Sequence, residues 1–153
     1  MAKAPEIEIR TANRDDLHAI VELLRRDSIM AVPEDPGLSA SQIEAFDTIA
    51  ANPDNEVIVA TLGGEVIATL QLTFIPGLTF NGAWRAQVEG VRVRGDLRSQ
   101  RIGTGLMEWA IRRARERGCR MVQLTSNNKR TAARHFYERL GFTASHTGMK
   151  LYL

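Results

Sequence analysis

A strand-like segment followed by a glycine-containing segment is the part of this sequence whose residue types suggest chemistry. Val91-Arg92-Val93 precedes the run 100–105, QRIGTG, where the chain enters a predicted helix. The first amides of a helix have no intrahelical acceptor and lie at the positive end of its dipole, so they stabilise phosphate oxygens. Glycines at 103 and 105 would let a pyrophosphate approach this backbone without meeting a Cβ atom. The segment is therefore a candidate binding site for a phosphate-bearing molecule.

The same pattern also has a purely structural explanation. Two glycines can begin a helix that needs small residues for close packing. The third glycine of the dinucleotide-binding fingerprint is missing, and so is the Gly-Lys-Ser/Thr of a P-loop. Taken alone, Gly103 and Gly105 leave both interpretations open.

Two segments together resemble the signatures of one protein family. Residues 100–105 fit the pattern Q/R-x-x-G-x-G/A of the GNAT superfamily, whose members are N-acyltransferases that use acetyl-CoA. Residues 133–142, ARHFYERLGF, resemble the family's second motif, A-x-x-F-Y-x-x-L-G-F. The resemblance covers nearly the whole chain. It implies an acetyltransferase that passes an acetyl group from acetyl-CoA to a primary amine of a small molecule or peptide, directly and within a ternary complex.

The resemblance also implies which residues contact acetyl-CoA. The backbone of the strand at 91–93 would pair with the pantetheine arm, and the glycine loop would bind the diphosphate. Many relatives have an Asn three residues before the Ala of the second motif, where this chain has Arg130. The nearest candidates for the acetyl-CoA contact of that Asn are Asn127 and Asn128, which implies a longer or bulged loop, and of the two the contact is assigned to Asn128. The implied contacts are Val91, Val93, Arg98, Gln100, Arg101, Ile102, Gly103, Thr104, Gly105 and Asn128, and no metal is implied.

Acetyl transfer to an amine needs proton-transfer groups. An alkylamine with a pKa near ~10.4 is mostly protonated at pH 7 and cannot attack a thioester until a base deprotonates it. Glu89, eleven residues before Gln100, has the spacing of the glutamate that is the base in part of the family. It would act directly or through a water, provided that burial makes it basic. Tyr137 matches the family's usual proton donor to the leaving thiolate. A backbone amide at or beside Val91 would stabilise the negative charge that develops on the carbonyl oxygen of the acetyl group. The alternatives are a solvent-facing Glu89 and a Tyr137 that only packs.

The other reactive side chains, those of the cysteine and the histidines, do not indicate a catalytic or metal-binding site. Cys119 is the only cysteine, which excludes a disulfide within the chain, and its predicted place at a helix-to-strand junction does not suit a nucleophile. The three histidines, His18, His135 and His146, lack metal-ligand spacing, so we expect them at the surface or in packing positions.

The charges are unevenly distributed along the chain. Residues 92–139 contain thirteen basic and four acidic residues, whereas residues 27–84 contain eight acidic residues and no Lys or Arg. The opposite charges of these two stretches favour an anionic ligand bound by the basic C-terminal part and a cationic ligand approached by the acidic N-terminal part. In GNAT proteins the acceptor pocket corresponds by position to residues 27–49 and 76–82, so these carboxylates suggest a cationic amine. A nucleic-acid partner is disfavoured, because the acidic part would repel phosphates and no aromatic residues accompany the arginines at 112–117.

Periodicity and turn residues predict the order strand, two helices, three strands, helix, strand, helix, strand. The hairpin at 57–74 has Gly63-Gly64 as its turn, Asn13 or Asp15 and Ser39 or Ser41 are the expected helix caps, and residues 29–38 form a loop. Residues 142–153 are predicted to form a final strand or hairpin. The predicted fold is α/β (α+β), a GNAT-like mixed, mostly antiparallel sheet of six or seven strands flanked by about four helices. We expect one domain over residues 1–153.

Composition limits the functional classes. With 44% hydrophobic and 25% charged residues, the sequence is that of an ordinary globular protein. It has no N-terminal apolar region and no stretch of roughly 20 apolar residues, so we expect a cytoplasmic protein without a membrane partner. The family resemblance allows a homodimer. A non-catalytic acetyl-CoA-binding regulatory module is the alternative function, against which the presence of both Glu89 and Tyr137 argues.

Overall fold

The computed structural model describes residues 6–26 and 37–153, which divide into two compact units at Gln123 and Leu124. The strands are β1 (Ile7–Thr11), β2 (Asn55–Leu62), β3 (Glu65–Ile75), β4 (Trp84–Val93) and β5 (Cys119–Leu124). The helices are α1 (Leu17–Arg26), α2 (Ala40–Ala51), α3 (Thr79–Gly82), α4 (Ile102–Glu116) and α5 (Thr131–Arg139). The predicted loop at 29–38 lies mostly outside the described residues.

The five strands form one mixed sheet in the order β1-β2-β3-β4-β5. The first four strands are antiparallel to their neighbours, and α4 connects β4 to β5. Gly63 and Gly64, with φ of 58° and 87°, form the tight turn between β2 and β3. Two consecutive positive φ values match the right-handed twist of a hairpin, and glycine adopts them without a Cβ clash, which confirms the predicted turn.

Side-chain caps determine where the first two long helices begin. Asn13 accepts a hydrogen bond from the Asp15 amide at 2.9 Å and begins a short 3-10 turn that leads into α1. The Ser39 hydroxyl accepts from the Gln42 amide at 3.1 Å, while the Gln42 side chain accepts from the Ser39 amide at 2.9 Å. Both are capping boxes, which satisfy backbone amides that the helix itself leaves unpaired. Of the predicted caps, Asn13 and Ser39 are therefore the ones used.

The core lies between the sheet and its helices. Residues 67–70 of β3 are buried in succession, so both faces of this strand are covered. From α4 the buried side chains are those of Ile102, Leu106, Met107, Ala110 and Ala114. The apolar spacing of the sequence predicts a stripe with Ile111 in place of Ile102, and Ile111 is only half-buried. This burial fixes α4, and with it the loop that precedes α4, against the sheet.

The strand count was overestimated. The described residues contain five strands, not six or seven, because residues 142–153 form no strand. A strand exists only where a neighbouring strand supplies hydrogen bonds, and no described strand pairs with this segment. A fifth helix, α3, occupies the predicted turn region as a single turn in which Phe80 and Asn81 have φ of 51° and 60°. No helix in the described part of the chain is long and apolar enough to cross a membrane.

Candidate functional site

A β-bulge interrupts β4 where the sequence predicts the reactive strand. Gln71 of β3 pairs with Glu89 and Thr69 pairs with Arg92, so two residues of β4, Gly90 and Val91, lie opposite one residue of β3. Gly90 has a φ of 62°, which a residue with a Cβ atom rarely adopts. Bulges change the direction of amides and side chains and occur often beside active sites. The predicted residue Val91 therefore lies within an irregular part of the strand, and Val93 follows it at the strand's end.

The loop between β4 and α4 is held at its start and has unusual backbone angles at its end. Arg94 donates from Nε to Asp96 at 2.8 Å and from Nη1 to Glu65 at 3.1 Å. Ser99 and Arg101 have φ of 67° and 62°, in the left-handed region that non-glycine residues seldom occupy. Such backbone conformations persist where surrounding structure enforces them, and they cluster at functional sites.

The N-terminus of α4 offers unpaired backbone donors. The Gly105 amide donates to the Arg101 carbonyl at 3.0 Å, so the amides of Ile102, Gly103 and Thr104 precede the first intrahelical hydrogen bond. Arg101 occupies the cap position without a side-chain cap, and the first turn contains no acidic residue. The end of a 15-residue helix with free amides and no carboxylate fits a diphosphate.

Packing does not explain the second glycine of the motif. A Cβ atom added to Gly105 would come no closer to any other described part of the protein than 4.0 Å, from Ile9 Cδ1, an ordinary contact. The explanation of Gly105 as a small packing residue therefore loses its support. Close approach of a ligand to the backbone remains as the reason for a glycine at this position.

A basic cleft of about 560 Å³ lies beside the same loop and brings two of the predicted residues, Val93 and Arg98, together. Arg94 and Arg26 line it as well, with Leu23, Gly95 and Asp96 completing the lining. Arg26 was not among the predicted residues, although it is a basic residue at the C-terminal end of an amphipathic helix. Three guanidinium groups in one cleft suit the phosphates of a nucleotide-containing cosubstrate.

A second cavity of about 410 Å³ lies between α1, α2 and the sheet. Its walls are mainly apolar, and its polar lining residues are His18, Glu22, Arg25, Gln42, Thr69 and Gln71. Gly90 also lines it, so the cavity reaches the bulge of β4. The predicted acceptor region 27–49 contributes residues of α2, and residues 27–36 lie outside the described chain. His18, predicted to be a surface or packing residue, is exposed and lines this cavity.

Glu89 lies next to this cavity but is not buried. It is the neighbour of Gly90 along the chain and pairs with Gln71 across the sheet, and both of these residues line the cavity. Its side chain is exposed, in contrast to the burial that its predicted role as a base required. The role of Glu89 as a base stays a prediction.

Of the other predicted acetyl-CoA contacts in the first unit, Arg98, Gln100 and Arg101 are exposed, whereas Gly103, Thr104 and Gly105 are half-buried.

Tyr137 and Asn128 belong to the second unit. The Tyr137 ring makes edge contacts with Phe136, at 5.1 Å between ring centroids, and with Phe142, at 5.9 Å. Asn127 fixes the turn after β5, because its side-chain oxygen accepts from the Lys129 amide at 2.9 Å. Asn128 is exposed in that turn, and its contact with acetyl-CoA stays a prediction.

The segregated charges of the sequence neutralise each other in the fold. Of the five described carboxylates between residues 37 and 84, four form ion pairs with arginines: Asp47 with Arg14, Asp54 with Arg117, Glu56 with Arg113 and Glu65 with Arg94. None of these four carboxylates lines the 410 Å³ cavity. Among the described carboxylates, this acidic excess is therefore mostly engaged elsewhere, whereas Asp27, Glu34 and Asp35 lie outside the described residues.

Cys119 and the histidines form no reactive or metal-binding cluster. Burial raises the pKa of the Cys119 thiol, although nearby Arg117 opposes the shift, so the nucleophilic thiolate is disfavoured. Among residues 6–26 and 37–153, no group of three or more His, Cys, Asp or Glu side chains is placed to hold a metal ion.

Comparison with known proteins gives a consistent match. The model of the acetyltransferase (GNAT) family matches residues 17–142. An aminoalkylphosphonate N-acetyltransferase of Salmonella typhimurium is 30% identical over 146 residues, which are 93% of this chain and 88% of that protein. The structure of a transcriptional regulator from Bacillus halodurans C-125 is similar with a TM-score of 0.90 and 44% identity, over 97% of this chain and 100% of that one. A putative acetyltransferase from Agrobacterium tumefaciens str. C58 has a TM-score of 0.85 and 28% identity, over 95% and 99% of the two chains.

Proposed function

This chain belongs to the GNAT family of acetyltransferases, and on that premise we propose that it transfers an acetyl group from acetyl-CoA directly to a primary amine within a ternary complex. It is an acyltransferase with acetyl-CoA as its cosubstrate. The observation that carries the proposal is the set of amides at Ile102, Gly103 and Thr104, which begin α4 directly after the loop from the bulged strand. Acetyl-CoA supplies an acyl group that is already activated as a thioester.

In the proposed mechanism this chain's residues handle protons and developing charge. Glu89 takes a proton from the ammonium group, directly or through a water, so that the free amine can form the new C–N bond. The amide at or beside Val91 stabilises the negative charge that develops on the carbonyl oxygen. As the C–S bond breaks, Tyr137 donates a proton to the departing sulfur. Tyr137 is reprotonated, through solvent, by the second proton that the nitrogen loses as it becomes the amide nitrogen, and the proton held by Glu89 is released to solvent.

Two conservative variants test these roles. Glu89→Gln and Tyr137→Phe should each lower kcat by roughly 10²–10⁴-fold, the usual contribution of a general base or acid. The affinity for acetyl-CoA, measured by calorimetry, should change little in either variant. Glu8→Gln is the matched control, because it removes an exposed strand carboxylate of β1 that lines neither cavity. Unchanged kcat in both test variants would contradict the assigned roles.

A non-catalytic regulatory module is the second candidate function. The Bacillus halodurans relative, 44% identical, is named a transcriptional regulator. A module of this kind would bind acetyl-CoA and release no CoA with any amine offered. Release of free CoA, measured with a thiol reagent over a panel of primary amines, separates the two functions: turnover with any amine excludes the module, and binding without turnover excludes the enzyme.

For the acceptor, we favour an aminoalkyl compound that also carries an anionic group, such as an aminoalkylphosphonate. The Salmonella relative is named for such a substrate. The cavity beside Gly90 suits it, because Arg25 and His18 accompany apolar walls. Glu22, the only carboxylate among the described residues of its lining, is hydrogen-bonded to Arg25. The cationic amine that the sequence suggested is the competing acceptor.

A panel of acceptors of equal chain length separates an anionic aminoalkyl acceptor from a cationic amine. For an aminoalkylphosphonate, kcat/KM should exceed that for the plain alkylamine and the diamine, and Arg25→Gln should reduce this preference by about tenfold or more. Arg112→Gln is the control, because Arg112 is exposed on α4 and lines neither cavity. A preference for the diamine that weakens with added salt would instead support a cationic acceptor.

A further inference from the structure

Gln71 places a polar side chain in a mainly apolar cavity wall. It lies on β3 between the buried residues Leu70 and Leu72, is itself half-buried, and lines the 410 Å³ cavity. Its side chain makes no hydrogen bond with any part of the chain that the structure describes. Because a carboxamide has an acceptor oxygen and an NH2 donor, both groups remain available to a molecule in the cavity.

The polar side chains next to Gln71 on the same face of the sheet form hydrogen bonds within the protein. Thr73 projects to the face of Gln71, because side chains alternate along a strand, and donates to the Asn55 side chain at 2.9 Å. Gln87 lies opposite Thr73 on β4 and accepts from Gln123 at 2.7 Å. The described chain thus satisfies these neighbouring groups internally, in contrast to the Gln71 amide.

Gln71 also lies directly opposite the proposed base. It pairs with Glu89 in the register of β3 and β4. Directly opposed residues of antiparallel strands project from the same face, with their Cβ atoms about 4.5–5.5 Å apart. Gly90, the bulge residue that lines the cavity, follows Glu89. An acceptor nitrogen that approaches Glu89 from the cavity therefore comes within reach of the Gln71 side chain.

The reaction has a use for a second hydrogen-bond acceptor beside the base. A protonated primary amine carries three N–H donors, and Glu89 takes one of its protons. A nitrogen held by Glu89 alone can still rotate, whereas a second contact fixes the direction of the lone pair that forms as the proton leaves. A carboxamide oxygen suits this contact, because it accepts a hydrogen bond without taking the proton.

We propose that Gln71 is a specificity-determining residue, whose side-chain oxygen accepts a hydrogen bond from the acceptor nitrogen and directs the nitrogen toward the thioester. The inference deepens the proposed function and rests on it, because Glu89 must be the base that receives the first proton. The nitrogen then donates one of its two remaining N–H groups to Gln71 Oε1 while it forms the C–N bond. An amine with too few N–H groups to contact both Glu89 and Gln71 loses one of the two hydrogen bonds.

Binding of two matched ligands tests this contact without turnover. One probe is the aminoalkylphosphonate of the acceptor panel, or the diamine if that is the better acceptor. The other is the analogue in which each amine is dimethylated, so that every ammonium group has a single N–H. Each probe is titrated by calorimetry into the protein saturated with CoA. We expect wild type to bind the primary amine about tenfold or more tightly than its analogue, the value of one hydrogen bond to a charged group.

Three variants separate hydrogen bonding from shape and from strand stability. Gln71→Met keeps the side-chain length and should reduce the preference to within about threefold, whereas Gln71→Glu keeps an oxygen in the same place and should retain it. Gln87→Met is the matched control, on the same face of β4 but outside the described lining of both cavities. It removes the hydrogen bond from Gln123 and should leave the preference unchanged. A wild type without the preference, or equal effects of Gln71→Met and Gln87→Met, would overturn the proposal.

Turnover distinguishes failure of this inference from failure of the proposed function. Gln71→Met should lower kcat/KM for the primary amine by about tenfold or more, while its affinity for acetyl-CoA stays unchanged. Gln71→Leu, which extends the apolar run of β3, replaces Gln71→Met in both experiments should that variant not fold. No acetyl transfer by wild type with any amine would refute the proposed function and the inference with it. Acetyl transfer with the same kcat/KM in wild type and variant would refute the inference alone.

Discussion

Arg113 on α4 donates to both carboxylate oxygens of Glu56 on β2, with 2.6 Å from Nη2 to Oε1 and 3.1 Å from Nε to each oxygen. The two residues are 57 positions apart and belong to the basic and acidic stretches of the chain, respectively. The side chain of Glu56 is 12% exposed and that of Arg113 34%. The hydrogen bond to Glu56 raises the pKa of Arg113 further above its ordinary value. An ion pair between the basic and the acidic stretch of the chain thus joins α4 to the sheet.

Removing the charge of Glu56 should destabilise the protein. Glu56→Gln weakens a two-oxygen interaction and leaves the partly buried Arg113 with only its longer pair with Glu116, at 3.5 Å. We therefore expect the free energy of unfolding to fall by roughly 1–3 kcal/mol. Urea denaturation measures the free energy of unfolding of the variant and of the wild type. Glu65→Gln is the control, because the exposed pair of Glu65 with Arg94 should contribute less than about 1 kcal/mol. Equal losses in the two variants would contradict a special role for the Glu56 pair.

The sequence predicted those elements whose signals are local. The caps at Asn13 and Ser39 and the paired glycines at 63 and 64 fix backbone geometry within a few residues, so helix starts and the hairpin followed directly. A strand depends on a partner that can be distant in the chain or in another chain. Residues 142–153 have a strand pattern and no partner among the described strands, and this is why the strand number was wrong.

The distinction between local signals and contacts between distant residues also applies to the candidate site. The loop around Gly103 and Gly105 is one continuous segment, and its motif was recognisable without the fold. The cavity beside Gly90 is assembled from α1, α2 and three strands, so its lining residues Arg25 and Gln71 carried no sequence signal. The charge count alone does not identify the acceptor for a related reason, since ion pairs such as Asp54 with Arg117 join residues far apart in the chain.

Asp16 should make stability depend on pH at the acidic end. Its carboxylate accepts from Arg10 at 2.7 and 2.9 Å and from the Asn13 amide at 2.8 Å. The hydrogen bond from Arg10 is the main reason that the pKa of Asp16 is lowered in the folded protein. A lowered pKa means that the folded state favours the charged form. This stabilisation is complete well above the ordinary aspartate pKa of about 3.9 and is lost as the pH falls through the lower, folded value.

Asp16→Asn should therefore be less stable than wild type at pH 6 to 7, and the difference should shrink as the pH is lowered below about 4. Urea denaturation across this range measures the difference. Asp15→Asn is the control, because Asp15 lies in the same turn but is exposed. A difference that stays constant down to pH 3 would mean that the effect of Asp16→Asn is not electrostatic.

Cys119 should be unnecessary for catalysis. Because burial raises the pKa of its thiol, little thiolate is present at neutral pH, and direct transfer needs no enzyme nucleophile. We expect Cys119→Ser to retain kcat within about twofold, and we expect alkylation of Cys119 by iodoacetamide to be slower than that of a free thiol with a pKa of about 8.5. Loss of acetyl transfer on alkylation, without loss of folding, would show that the region around Cys119 contributes to the reaction.

Gly105→Ala should separate ligand binding from stability, because the two are expected to change in opposite directions. Gly105 lies within α4 and has space for a methyl group, so alanine should raise the free energy of unfolding by up to about 1 kcal/mol through its higher helix propensity. The same methyl group would block close approach of a diphosphate, and we expect acetyl-CoA to bind at least about tenfold more weakly by calorimetry. Glu108→Ala, on the exposed face of the same helix, is the control and should leave affinity unchanged. If Gly105→Ala lowered stability and affinity together, the glycine would be a packing residue after all, and the site for the diphosphate would have to lie elsewhere.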